Sequence, residues 1–269
     1  MKESSKEKIL QLEQSLESVK PGEEKYYEIL LKLSKFYRKS DSFKKAESLL
    51  EKGKENAKKF KYNLYLADIY RSLSYVHLQR GNIDKAKRTI KKALIICKYK
   101  KGKDAQKIKA NIYSLMGGIN FTNKKYTEAL ENYKKALRKA KEVDFIEREI
   151  TVKSDIANVY LVQHSFKKAR NLLLSIKNDA QKYYQYSLPS LLLRLARIEF
   201  MQSNFSLAKK YTQQALDNAK RQELKSDMAQ AIEGLGWIYL KQGDKEKANN
   251  KLEEANKIFE ELGLPKRKF

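Results

Sequence analysis

Six times along this chain a short polar turn is followed by a residue that has an alanine three places after it. The pairs are Phe43 and Ala46, Ile83 and Ala86, Tyr126 and Ala129, Phe166 and Ala169, Phe205 and Ala208, and Lys245 and Ala248. The alanines stand 40, 43, 40, 39 and 40 residues apart. Between them lie apolar segments of helical period, and few residues interrupt these: the whole chain has three prolines and ten glycines. A chain so regular and so poor in breakers is expected to be a stack of helix hairpins. One hairpin cannot bury its own apolar stripe, so each must lean on the next.

A second signature precedes each turn, a large residue followed by a small one. The pairs read Leu33-Ser34, Leu73-Ser74, Met116-Gly117, Ile156-Ala157, Leu195-Ala196 and Leu235-Gly236. Three residues after the small one comes Tyr37, Tyr160 or Tyr239 in three units. Further small residues, Gly53, Ala93, Ala136, Ala215 and Ala255, recur in the second helix of most units, with Ile176 the exception. Small side chains at these places let two antiparallel helices cross closely, and larger ones fill the space between hairpins. The intervening Ser40-Asp41-Ser42, Gly81-Asn82, Asn123, Ser165, Ser203-Asn204 and Gly243-Asp244 are expected to stop one helix or cap the next. Pro189 suits the first turn of a helix.

Over residues 26–262 these units resemble tetratricopeptide (TPR) repeats. The usual period is 34 residues, and units of about 40 are similar to those of kinesin light chain, the Pins/LGN scaffolds and the Rap/PlcR-type receptors. His77, Asn120 and Glu199 stand where that family often has tyrosine. The resemblance implies an all-α, right-handed superhelical solenoid of about six repeats. It also implies a protein-interaction scaffold whose first helices line a concave groove. Residues 1–22 are expected to form an N-terminal cap helix with Ile9, Leu12, Leu16 and Val19 on one stripe. The repeat array then occupies 23–262, and 263–269 is a basic tail.

On the face opposite the large-small pairs, the chain presents Arg71, Asn111, Ser114, Asn158, Arg197, Phe200 and Trp237. Amide and guanidinium groups suit a peptide backbone, and the aromatics suit its apolar side chains. These seven are the candidate peptide-binding residues. The second helices carry most of the lysine, and residues 85–109 hold eleven basic side chains against Asp104 alone. Lys91, Lys92, Lys100 and Lys101 in that run are the candidates for an alternative, a nucleic-acid-associated or peptide-sensing factor using a convex basic stripe. Against a dedicated phosphate reader, the chain's net charge of +25 comes from 47 lysines and only 11 arginines.

Cys97 is the single cysteine and the two histidines, His77 and His164, are far apart in sequence. No disulfide, metal cage, phosphate-binding glycine loop or nucleophile elbow is written here, so the expectation is a protein without cofactor, metal or catalysis. No stretch reaches the ~18 apolar residues of a membrane span, and Met1 leads into a charged amphipathic segment, so a cytoplasmic location is expected.

Overall fold

The computed structural model describes residues 5–40 and 42–262. Among them the chain forms thirteen α-helices and no strand: α1 (Ser5–Glu17), α2 (Glu24–Lys39), α3 (Phe43–Lys59), α4 (Asn63–Gln79), α5 (Ile83–Cys97), α6 (Lys103–Thr122), α7 (Tyr126–Lys141), α8 (Ile146–Val162), α9 (Phe166–Tyr183), α10 (Leu188–Met201), α11 (Phe205–Arg221), α12 (Lys225–Lys241) and α13 (Lys245–Glu261). A short 3-10 turn, Gln185–Ser187, leads into α10, whose first turn holds Pro189. Each residue three before a repeat alanine is the first helical residue of the second helix in its hairpin. The expected basic tail and Asp41 lie outside the described residues.

The chain divides into two compact units, Met1–Arg148 and Glu149–Phe269. In the first, Ile9, Leu12 and Leu16 of α1, with Val19 just beyond its end, pack against a core built on Tyr27, Leu30, Leu33 and Leu50. A further cluster joins Ala86, Ile90, Ala93, Cys97, Ile112 and Ile119. In the second unit a continuous core runs from Ile150 to Phe259. Cys97 is a buried member of the first unit's core, and burial pushes its thiol pKa up to about 11, so it acts as a small apolar filler.

The small residues lie where the hairpins close. All six repeat alanines are fully buried. A Cβ added to Gly53 would stand 2.5 Å from Leu30 Cδ1, one added to Gly117 2.5 Å from the Tyr133 ring, and one added to Gly236 2.7 Å from Leu252 Cδ2. These glycines set how near the paired helices approach.

The turns meet the expectation in part: Gly81 and Gly243 end their helices at positive φ, and Asp244 caps the next helix. Asp244 caps α13 by its side chain, accepting from the Lys247 amide at 3.1 Å, whereas the N-cap residues of α2–α7 and α9–α12 make no side-chain cap hydrogen bond. Elsewhere the backbone closes the hairpin turn itself. Gly81, Lys124, His164, Ser203 and Gly243 take positive φ, and the next amide reaches back to a carbonyl five residues earlier. Asn82 N–H donates to His77 O at 2.8 Å, Lys125 to Asn120 at 2.9 Å, Ser165 to Tyr160 at 2.8 Å and Asn204 to Glu199 at 2.8 Å. This is the Schellman arrangement, which satisfies the orphan carbonyls of the ending helix without any side chain.

Several residues at the tyrosine place contact the helix that precedes their hairpin. Tyr37 donates its hydroxyl to Glu13 on α1. Lys209 on α11 lies over the Tyr239 ring at 4.7 Å. At two places where the tyrosine is replaced, a carboxylate enters the contact. Glu199 is buried and accepts from Arg170 Nε on α9 at 2.7 Å and from Asn204 Nδ2 at 3.0 Å. His77 is buried with Nδ1 3.6 Å from Glu47 on α3, a carboxylate that also holds Arg80 and Lys85.

Candidate functional site

In each unit the first helices of successive hairpins lie side by side, with their large-small pairs turned into the hairpin. In the second unit, α10 and α12 leave a cavity of about 560 Å³ between them. Leu193, Arg197, Phe200 and Met201 line it from α10; Gln230, Glu233, Gly234 and Trp237 line it from α12; and Thr212 of α11 forms part of its wall. The space exists because Ala196 and Gly234 project little or nothing into it. A Cβ on Gly234 would already come to 3.3 Å from Thr212 Cγ2.

The chemistry of the cavity is mixed. Trp237 and Phe200 are half-buried, Glu233 is buried, and Arg197 is exposed at the mouth. Phe200 also meets Phe205 edge-on at 5.6 Å, so its ring closes the turn into α11 while its other side faces the cavity. Such a recess accepts an apolar side chain on indole, benzyl and thioether groups. It also offers a guanidinium to carbonyl oxygens and a carboxylate to amide or amino donors.

Of the seven candidate peptide-binding residues, the structure brings Arg197, Phe200 and Trp237 together around this cavity. Asn158 of α8 is half-buried in the same unit and does not line the cavity. Nearby, Arg194 Nη1 donates to Ser154 Oγ at 2.9 Å, and burial raises the Asp227 pKa against the opposing pull of Arg194. The sequence reading passed over Arg194 and Asp227. The signal was present in that Arg194 and Ser154 stand one repeat period apart, 40 residues.

Arg71, Asn111 and Ser114 belong to the first unit. Ser114 is buried, and the Asn111 Oδ1 atom is buried without a hydrogen-bond partner. Arg71 pairs with Asp68 one turn earlier and donates from Nη2 to Ser72 Oγ at 3.2 Å. Arg38, from the last turn of α2, lies 4.9 Å over the ring of Tyr75.

Lys91, Lys92, Lys100 and Lys101 are all exposed, and so are Ile95 and Tyr99 among them. The run is not uniformly outward, however. Lys109 is buried, and its ammonium donates to the carbonyls of Lys98 at 3.3 Å and Lys100 at 2.8 Å just past the end of α5. It serves that helix terminus, where cations are favoured, and contributes nothing to an outer stripe. Among the described residues no cluster of three or more His, Cys, Asp or Glu is placed to hold a metal, and no helix is long and apolar enough to cross a membrane.

Comparison with known proteins points to one architecture. Residues 187–261 match the tetratricopeptide repeat family model. No curated protein sequence matches the chain. Among solved structures, BtubC (BKLC) from P. vanneervenii is similar with a TM-score of 0.67 at 20% identity, covering 84% of this chain and 96% of that one. A Rap protein complexed with competence and sporulation factor gives 0.67 at 17% identity, over 95% of this chain and 71% of that one. A signal transduction ATPase with a tetratricopeptide repeat sensor, from Pyrococcus horikoshii, gives 0.71 at 18% identity, over 94% of this chain but only 38% of that one. These matches identify tetratricopeptide repeats over residues 187–261, and they show that the chain as a whole shares a helical-repeat fold with the solved structures.

Proposed function

We propose that this chain is a non-enzymatic scaffold that holds a peptide or an extended protein segment on the inner faces of its first helices. In this reading the α10–α12 cavity receives one apolar side chain of that segment. The observation that carries it is the convergence of Trp237, Phe200, Met201, Arg197 and Glu233 on one recess of about 560 Å³. An aromatic-walled recess with a few polar groups at its edge matches the anchor pockets that dominate peptide recognition. The buried, partnerless Oδ1 of Asn111 supports the same reading in the first unit, since an extended backbone supplies the N–H donors it lacks. A relative in fold, the Rap protein, was solved with a bound factor.

Trp237 is the only tryptophan in the chain, so its emission reports on this recess alone. Peptides selected on the protein from a random library should shift that emission. Replacing Arg197 and Met201, two exposed residues of the recess lining, together with alanine should weaken them at least about tenfold, roughly 1.4 kcal/mol, with the unfolding midpoint unchanged. Charge reversal at Lys91, Lys92, Lys100 and Lys101 should leave binding intact. If charge reversal alone abolishes partner binding while the cavity variant binds normally, the basic stripe is the functional face and this reading fails.

A further inference from the structure

We infer that Arg38 and Arg71, on the inner face of the first unit, form a receptor for an oxyanion carried by the bound segment, the carboxylate of an acidic side chain or a phosphoryl group. The inference rests on the scaffold reading and names a preference for its ligand. Arg38 comes from the end of α2 and Arg71 from the middle of α4, the first helices of successive hairpins. The Arg38 guanidinium is half-buried, with one face over the Tyr75 ring at 4.9 Å. Its Nε makes a long hydrogen bond of 3.3 Å to the Ser34 carbonyl, which leaves the outer edge of the fork unused. Asp68 is the carboxylate of this group, and it is already engaged by Arg71 Nε. The charge of Asp68 also reaches Arg38, but it is one carboxylate beside two guanidiniums, and these three groups keep a net positive charge.

That charge sits in a partly dry wall. Burial, and then the charge of Arg71, push the Arg38 pKa down to about 10. Arg38 stays protonated near pH 7, so the cost appears as an unmet demand for a counter-charge. The choice of residue adds a second argument. This chain uses lysine about four times as often as arginine, 47 to 11, so lysine is its default cation. Arginine on two neighbouring inner helices selects what lysine lacks, a planar fork that stacks on an aromatic ring and grips two oxygens at once.

The test uses the full chain labelled with ¹⁵N, following the arginine Nε–H resonances. The probes are an end-capped tetraglutamate peptide, its tetraglutamine counterpart, a capped phosphoserine peptide and inorganic phosphate alone. Tetraglutamate or the phosphoserine peptide should move the Arg38 and Arg71 signals, and tetraglutamine should not. Arg38→Gln should weaken the acidic peptide about tenfold, and Arg38→Lys should restore part of the loss. Arg71→Gln serves as the second variant if Arg38→Gln lowers the unfolding midpoint. Arg38 and Arg71 signals that ignore both peptides overturn the inference, and so does binding that survives both variants. Inorganic phosphate binding as tightly as either peptide reduces the group to a free-ion site and also overturns it. A selected peptide that seats on Trp237 with no acidic bias sinks this inference and leaves the scaffold reading standing. Acidic-peptide binding at Arg38 with Trp237 silent does the reverse for the cavity.

Discussion

Gly117 and Gly118 are neighbours in α6, and the structure gives the same substitution opposite signs at the two positions. A methyl group on Gly117 would stand 2.5 Å from Tyr133 Cδ1 and Cε1 and 2.9 Å from Cζ, whereas one on Gly118 meets nothing nearer than the Tyr133 hydroxyl at 3.9 Å. Ordinary carbon contacts lie at about 3.5–4.0 Å, so Gly117→Ala forces the ring or the helix to retreat by roughly 1 Å. Tyr133 is a buried, rigid ring on α7 with little room to yield. Overpacking of this kind costs about 1–3 kcal/mol. Replacing a mid-helix glycine with alanine returns about 0.8–1 kcal/mol of backbone entropy. Gly117→Ala should thus destabilise by about 1 kcal/mol, within roughly 0–2. Gly118→Ala should stabilise by up to about 1 kcal/mol. Urea unfolding followed by circular dichroism reads both, provided the denaturant slope is unchanged. Amide exchange in α6 and α7 locates the effect, because a repeat array opens locally. In a Tyr133→Leu background the penalty at Gly117 should disappear. If both alanines stabilise alike in the wild-type background, the close crossing of α6 and α7 is not what holds the third hairpin together.

Three further outcomes are expected. Burial, and then the charge of Lys85, hold the His77 pKa below its usual value, so an unfolded imidazole takes up a proton near pH 6.5 that the folded one refuses. Burial alone would raise the Glu47 pKa, but the hydrogen bond from Lys85 and the charges of Lys85, His77 and Arg80 outweigh it and lower the value. Both groups therefore give stability that is present at neutral pH and lost on acidification, His77 from about 6.5 and Glu47 from about 4.5 downward. The urea midpoint should fall from pH 7 to pH 5, and His77→Phe should flatten that fall; an unchanged slope refutes the assignment. Arg170→Met leaves the buried Glu199 carboxylate with only Asn204, and should cost about 1.5–3 kcal/mol; a neutral result in thermal unfolding would show that Glu199 is not held by this pair. Ala136→Leu, at a fully buried crossing, should destabilise by about 1–3 kcal/mol while Lys134→Leu on the exposed face changes little, and equal effects would mean the register of α7 is wrong.

What the sequence determined by itself is everything that repeats along one dimension. The roughly 40-residue period, the first residue of every second helix and the buried alanines are set by spacing and side-chain size, which survive without knowledge of any partner. The inner-face register was legible for the same reason, and it placed Arg197, Phe200 and Trp237 on one side of their helices. Only the tertiary structure decided what those residues do together. The cavity depends on how closely α10 and α12 approach across Ala196 and Gly234, and that distance is a sum over packed neighbours, not a property of either helix. The same holds for Arg38, whose stack on Tyr75 crosses from α2 to α4, and for Lys109, which turns inward from a basic run to meet the carbonyls beyond α5. The turn residues led to side-chain caps on paper because serine and asparagine so often serve that way. The backbone took much of the role, since a left-handed residue at Gly81, Lys124, His164, Ser203 and Gly243 brings the next amide within reach of the carbonyl five residues back, and sequence spacing carries no record of that geometry.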